Sequence, residues 1–193
     1  MEDRVLNIVL ASKSPRRRQL LSEIFEDLEI ITADCDESLP EDVHPRDGVK
    51  ILAVRKGEVV LSLTAEDSLI ISSDTLVELC GVALGKPKNE EDAKNMLRSL
   101  SNKGHNVHTG VAVHYRGRVA SGVDTTRVYF KELSDLEIEE YILTGEPMDK
   151  AGSYGIQGLG GKFVTNYEGR FDTVVGLSAE LVKELVKEVL TDD

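Results

Sequence analysis

A chain of 193 residues with 40% apolar content is long enough to bury a hydrophobic core, and its length suits one domain, 1–193, with room for two lobes. Its 35 acidic against 23 basic side chains leave a formal charge of −12, so the molecule repels polyanions and nucleic acid polymers are not expected as partners, although a small anion could bind a local basic pocket. Two cysteines, Cys35 and Cys80, form no C-x-x-C pair, which argues against a disulfide framework or zinc knuckle and reads both as small buried residues.

The first apolar run, Val5 to Ala11, is short, broken by Asn7 and preceded by Glu2 and Asp3. It fits neither a signal peptide nor a membrane span, so a cytoplasmic protein without a membrane partner is expected. Strand and helix patterns then alternate, as in an α/β domain. Leu6 to Leu10 reads as a buried strand. Ser14 and Pro15 open a helix whose stripe is Leu20, Leu21, Ile24, Phe25 and Leu28, and a short strand runs to about Thr32. After an acidic loop from Asp34 to Asp47, apolar residues from Val49 to Leu63 repeat at helical spacing and predict a helix ending near Thr64.

Leu69 to Ser72 is a compact strand expected to stop at Ser73-Asp74-Thr75, with a hairpin through Cys80-Gly81 after it. Asn89, followed by Glu90, Glu91 and Asp92, starts the next helix. His105 to Tyr115 and Arg118 to Phe130 form a long antiparallel hairpin about Arg116-Gly117. Ser134 and Glu137 make a capping box for a helix ending at Gly145. Residues 145 to 176, which hold eight of the sixteen glycines, read as a loop-rich, close-approaching stretch, and Ser178 caps a final amphipathic helix.

Several of these positions could carry chemistry. The turn Ala11-Ser12-Lys13-Ser14 leads into a helix N-terminus, an arrangement that receives phosphate, yet Arg16, Arg17 and Arg18 lie where the helix dipole disfavours cations. They make sense if an anion normally sits there, because guanidinium forks add bidentate contacts to phosphate oxygens; three solvated surface arginines are the alternative. Asp74, at the expected carboxyl end of a central strand, could hold Mg²⁺ or orient water, or could cap its own turn. Lys56 lies in the apolar stripe of its helix and should point toward the core side or a cleft wall, unless it snorkels to solvent. Lys86 projects from a turn before Pro87, and Gly81 to Lys86 has the wrong spacing for a Walker A loop. Asp34, Asp36 and Glu37 could supply metal ligands or form a plain acidic loop, and the four histidines show no ligand spacing.

The segments LASKSPRRRQLL at 10–21, SDT at 73–75, GKP at 85–87, GEPMDKAGSYGIQGLGGKFV at 145–164 and VVGLS at 174–178 together closely resemble the Maf family. The resemblance spans nearly the whole chain. It implies an α/β, inosine triphosphatase-like (Maf/Ham) fold: a twisted mixed β-sheet with flanking helices, in two lobes around a central cleft. It also implies a nucleoside triphosphate pyrophosphatase, dependent on a divalent metal (Mg²⁺ or Mn²⁺), with a homodimer as the family-based expectation. Ser12, Arg16 and Arg17 would bind the triphosphate, with Lys56 and Lys86 adding charge. Asp74 would be the general base or a metal-bound carboxylate, with Glu37 a less secure second metal ligand.

Within the family, Arg16, Thr75 and Gln157 match the branch associated with dTTP and UTP, whereas the 7-methyl-GTP branch carries a bulky aromatic and a glutamate at the first and third positions. The neutral Gln157 amide can donate and accept, as a pyrimidine O4 and N3–H edge requires, or it could merely satisfy its own loop. Ser178 stands where proline is frequent in the family, with little consequence expected since serine caps helices well. Two rivals stay open: a 7-methyl-GTP pyrophosphatase of the same family, and a non-catalytic nucleotide-binding regulator of cell division.

Overall fold

The computed structural model describes residues 6–32, 34–40 and 42–191. Glu2, Asp3 and Val5, at and before the start of the first apolar run, lie outside the described residues. In chain order the elements are β1 (Ile8–Leu10), α1 (Pro15–Ser22), β2 (Glu29–Ile30), α2 (Pro45–Leu61), β3 (Leu69–Leu79), β4 (Val82–Leu84), α3 (Glu90–Leu100), β5 (Gly104–Tyr115) and β6 (Arg118–Phe130). There follow α4 (Asp135–Leu143), three short 3-10 turns, β7 (Val164–Glu168), α5 (Phe171–Val175) and α6 (Ala179–Leu190).

The strands form one sheet in the order β2-β1-β3-β5-β6-β7, with β4 on β3. β1 runs parallel to β2 and β3, while β4 and β7 are antiparallel to β3 and β6, so the sheet is mixed and helix-flanked, as expected. β3 is buried from Leu69 through Asp74 on both faces, the mark of an interior strand. Two tight turns put consecutive residues at positive φ, Cys80 (52°) with Gly81 (84°) and Arg116 (46°) with Gly117 (77°), which is the hairpin geometry that matches strand twist. Cys80 is therefore exposed and Cys35 half-buried, not the buried pair that composition suggests. Among the described residues no helix is long and apolar enough to cross a membrane.

Cα packing divides the chain into two compact units. The first comprises Met1–Asp74, Thr109–Asp124 and Gly176–Asp193, the second Thr75–His108 and Thr125–Val175, and the division passes through β3, β5 and β6. The first unit is built on Leu10, Leu69, Ile71, Val111, Val113 and Leu185. The second is built on Leu97, Leu100, Val128, Ile138 and an edge-to-face aromatic group that includes Phe130 and Phe163.

Four further sequence expectations change: α1 stops at Ser22, so Ile24, Phe25 and Leu28 of its expected stripe pack on the core from beyond the helix. β3 does not end at Ser73 but continues to Leu79, so Asp74 lies within a strand. The polar run Ser72-Ser73-Asp74 imitates a terminator, yet each side chain finds a partner inside: Ser72 Oγ donates to the Ala53 carbonyl (2.7 Å) and Ser73 Oγ to that of Gly176 (3.0 Å). α2 begins at Pro45 with His44 as its cap, ahead of the apolar stripe that signalled it. β7 and α5 occupy part of the glycine-rich stretch, where no strand or helix period is visible.

Candidate active site

In the first unit, chain-distant charges meet because α2 lies unusually close to the sheet. A Cβ on Gly110 of β5 would sit 2.3 Å from the Val49 carbonyl oxygen, and one on Gly57 would meet the His114 ring at 2.2 Å, so neither contact admits a side chain. This approach carries Lys56 to β3. Its ammonium lies 2.5 Å from Asp74 Oδ1 and 2.8 Å from Glu37 Oε1. The snorkelling alternative for Lys56 is thereby excluded. Burial opposes the charge on Lys56, but the Asp74 charge and hydrogen bonds to Asp74 and Glu37 outweigh it and raise the ammonium above its usual pKa.

Asp74 is buried, and no described residue bonds its second oxygen. Glu37 is exposed and arrives on a loop clamped to α2 by Arg55, whose guanidinium donates to the carbonyls of Ser38 (2.6 Å) and Asp36 (3.3 Å). The other acids of that loop turn elsewhere. Asp34 pairs with Lys13 (3.0 Å), and Asp36 accepts from Ser38 N and Oγ (2.9 and 2.8 Å).

The arginine segment is also organised. Ser12, buried at the end of β1, accepts from Ser14 N (3.2 Å), and Ser14 caps α1 above Pro15. Arg16 and Arg17 are half-buried while Arg18 is exposed, and the first turn of α1 contains no acid. Arg17 Nε donates to the Gly176 carbonyl (2.8 Å), the same oxygen that receives Ser73. Gly176 has φ 130°, a conformation that favours glycine, which gives the glycine of the 174–178 segment its structural purpose. Burial lowers the pKa of the Arg17 guanidinium, with the nearby Asp74 charge acting against that shift and the Arg16 charge adding to it.

Thr75, Lys86 and Gln157 belong to the second unit. Thr75 follows Asp74 along β3 and is half-buried. Lys86 is exposed beside a buried Pro87, and its turn is held where the Gly85 carbonyl accepts from Gly152 N (3.0 Å). Gln157 is exposed in a loop whose backbone is gathered by Glu146, a residue sequence reading passed over. Arg55 was passed over likewise. Both act on main-chain groups, so no pairing of side-chain types along the chain signals them.

The first unit thus brings Arg17, Glu37, Lys56 and Asp74 into mutual electrostatic reach. Two carboxylates converge on one cationic position, a donor set of the hard oxygen type that Mg²⁺ or Mn²⁺ uses when substrate phosphates and water complete the shell. Among the described residues no cluster of three or more His, Cys, Asp or Glu forms a fuller protein cage.

A family model described as "Maf-like protein" matches residues 7–189. A Vibrio parahaemolyticus protein named dTTP/UTP pyrophosphatase is 45% identical over 96% of this chain and 98% of its own length. A Desulfitobacterium hafniense protein of the same name is 46% identical over 92% of this chain and 82% of its own. A solved Ham1 protein of Staphylococcus aureus covers 94% of this chain and 90% of its own at 18% identity and a TM-score of 0.49. With the family model spanning residues 7–189 and relatives matched over most of their length, this chain belongs to the Maf-like protein family.

Proposed function

We propose that the chain is a nucleoside triphosphate pyrophosphatase that hydrolyses dTTP and UTP to the monophosphate and pyrophosphate. The observation that carries this reading is the Lys56 ammonium held between Asp74 and Glu37, inside a family whose relatives bear the name dTTP/UTP pyrophosphatase. Ser12, Arg16 and Arg17 surround a helix start free of acids and supply hydroxyl, guanidinium and backbone N–H donors for phosphate oxygens. Glu37 and the Lys56-facing oxygen of Asp74 would hold a Mg²⁺ or Mn²⁺ ion, which when bound offsets the negative charge of the triphosphate and leaves the other Asp74 oxygen for proton transfer.

The protein groups then divide the work. Asp74, anchored through one oxygen by Lys56, uses the other to accept a proton from an attacking water. The water oxygen bonds to the α-phosphorus, the bond from that phosphorus to the α-β bridging oxygen breaks, and pyrophosphate leaves with the electron pair. Lys56 and Arg17 stabilise the charge that grows on the departing group. Thr75, Lys86 and Gln157 take their substrate contacts from the family resemblance, Lys86 as a phosphate cation and Gln157 as the reader of the pyrimidine edge.

A panel of dTTP, UTP, CTP and 7-methyl-GTP with Mg²⁺ or Mn²⁺, assayed for pyrophosphate and orthophosphate, tests this reading. Pyrophosphate and a monophosphate from dTTP and UTP are expected. Release of orthophosphate, a preference for 7-methyl-GTP, or no turnover would overturn it.

A further inference from the structure

Gln157 poses a problem that its chemistry alone does not solve. A carboxamide carries one donor group and one acceptor side by side, and a half-turn of its end exchanges them. Uracil and thymine offer an O4 acceptor next to an N3–H donor, whereas cytosine offers an N4–H₂ donor next to an N3 acceptor, the same pair reversed. A glutamine able to turn over suits both. Selectivity for one edge needs partners that cannot turn, and beside Gln157 the groups of that kind are the N–H and C=O of its own loop. They discriminate only if the loop backbone is held.

Glu146 holds it. Its Oε2 accepts from Leu159 N (2.9 Å), while Oε1 accepts from Gly160 N (3.1 Å) and from the Tyr141 hydroxyl (2.8 Å). The same Tyr141 oxygen accepts from Gly155 N (3.2 Å), so one carboxylate and one phenol grip the backbone on both sides of Gln157. The loop lies directly on them. A Cβ on Gly158 would fall 2.4 Å from the carboxylate, and one on Gly160 would fall 2.6 Å from the Tyr141 hydroxyl oxygen. Tyr141 is itself only 1% exposed and packs edge-on against Phe163 at 5.0 Å, which fixes the phenol to the core of the second unit. By contrast the Gln157 side chain is exposed and bonded to no described residue, so whatever sets its surroundings acts through this backbone.

We infer that Glu146, together with Tyr141, is a positioning residue for nucleotide choice: it fixes the 155–160 backbone, and that fixed backbone beside Gln157 separates uracil and thymine nucleotides from cytosine nucleotides. This rests on the pyrophosphatase reading above. The glycines of the segment follow from it, since a side chain at 158 or 160 would displace the loop from its holder.

The test compares kcat/KM for UTP and CTP in the full chain and in Glu146→Gln, Tyr141→Phe, Gln157→Ala and the Glu146→Gln/Gln157→Ala pair. Glu146→Gln places an N–H₂ against backbone donors, and it should shrink the UTP-over-CTP preference about tenfold or more, the equivalent of one charge-assisted hydrogen bond. Tyr141→Phe keeps the ring packing and should move the preference the same way by less. Gln157→Ala should lower kcat/KM for UTP and CTP alike and leave their ratio standing, and the double variant should show the reduced ratio of Glu146→Gln alone, whereas general destabilisation lowers both rates without moving their ratio. An unchanged preference in both Glu146→Gln and Tyr141→Phe, or a wild-type chain indifferent to the two nucleotides, overturns the inference while leaving the pyrophosphatase reading intact. Should Glu146→Gln prove insoluble, Tyr141→Phe decides alone. Absence of pyrophosphate release from UTP in the wild type overturns the underlying reading instead.

Discussion

A carboxylate in each unit is central to the proposed function, and the two are held by different partners. Asp74 in the first unit faces a side-chain ammonium with one oxygen and is left open at the other; Glu146 in the second spends both oxygens on main-chain N–H groups and a phenol. A carboxylate whose partner is a side-chain cation can exchange that partner for a ligand's charge or a proton. A carboxylate saturated by backbone cannot do so without releasing the loop it holds. On the proposed function the same group is reactive in one place and scaffold in the other, and variants at the two sites should fail in different ways.

The largest expected effect is on rate at the first site. Asp74→Asn retains shape and a hydrogen-bond acceptor but removes the base, and should lower kcat by ~10³-fold or more while the chain stays folded. Lys56→Met removes the cation and should cost ~10²–10³-fold. Neither change should alter the ratio of UTP to CTP turnover that remains. Steady-state kinetics with circular dichroism checks both points, and an Asp74→Asn variant within a few fold of wild type would remove Asp74 from the reaction.

What the sequence reveals about these two sites follows from the range of the interactions. Helix starts at Ser14, Asn89, Ser134 and Ser178 are legible because a cap and its partner lie three residues apart, and all four are observed. The mixed sheet is legible from apolar runs alternating with helical stripes. Asp74 and Lys56 stand out as charges in odd places and Glu37 only as one acid of a loop cluster, but their meeting at one point depends on α2 closing onto the sheet through Gly57 and Gly110, a tertiary contact with no local period. Buried serines conceal the true length of β3, because Ser72 and Ser73 read as polar until their carbonyl partners are known. Glu146 is hidden for the opposite reason: its partners are peptide groups, which every residue carries.

Buried histidines offer a second comparison between the units, this time of stability against pH. His105, in the second unit, is 1% exposed, shares a 2.8 Å hydrogen bond with the Tyr154 hydroxyl through Nε2, and leaves Nδ1 with no partner in the described structure. Burial, reinforced by the Arg127 charge, pushes its pKa down to about 4. His114, in the first unit, is equally buried, and burial lowers its pKa as well, with the Glu58 charge and the Val54 backbone acting against the shift. A depressed histidine pKa means that the unfolded chain binds more protons than the folded one between the two values, so stability is full above pH ~6.5 and is lost as pH falls. For His105 the loss extends down to about pH 4 and amounts to something on the order of 3 kcal/mol. Urea denaturation from pH 7 to 4 should show a steeper decline for the wild type than for His105→Gln, which cannot take up the proton; parallel curves would exclude His105 as the source.

The smallest effect separates holding the fold from holding the loop. Tyr141 lies in the last turn of α4, while the helix opens on a capping box in which Glu137 N donates to Ser134 Oγ (3.3 Å) and Ser134 N to Glu137 Oε2 (3.0 Å). Ser134→Ala breaks that box and should cost ~1 kcal/mol, lowering Tm by about 2–4 °C for a chain of this size. Tyr141 is two helical turns away, buried, and fastened independently by Phe163 and Glu146, so fraying at the first turn does not reach it. The preference for UTP over CTP should therefore remain at its wild-type value in Ser134→Ala although the protein melts earlier. A preference that fell in step with Tm would mean that nucleotide choice tracks the stability of the whole second unit, and the distinction drawn between Glu146 as a specific holder and the surrounding core as mere support would fail.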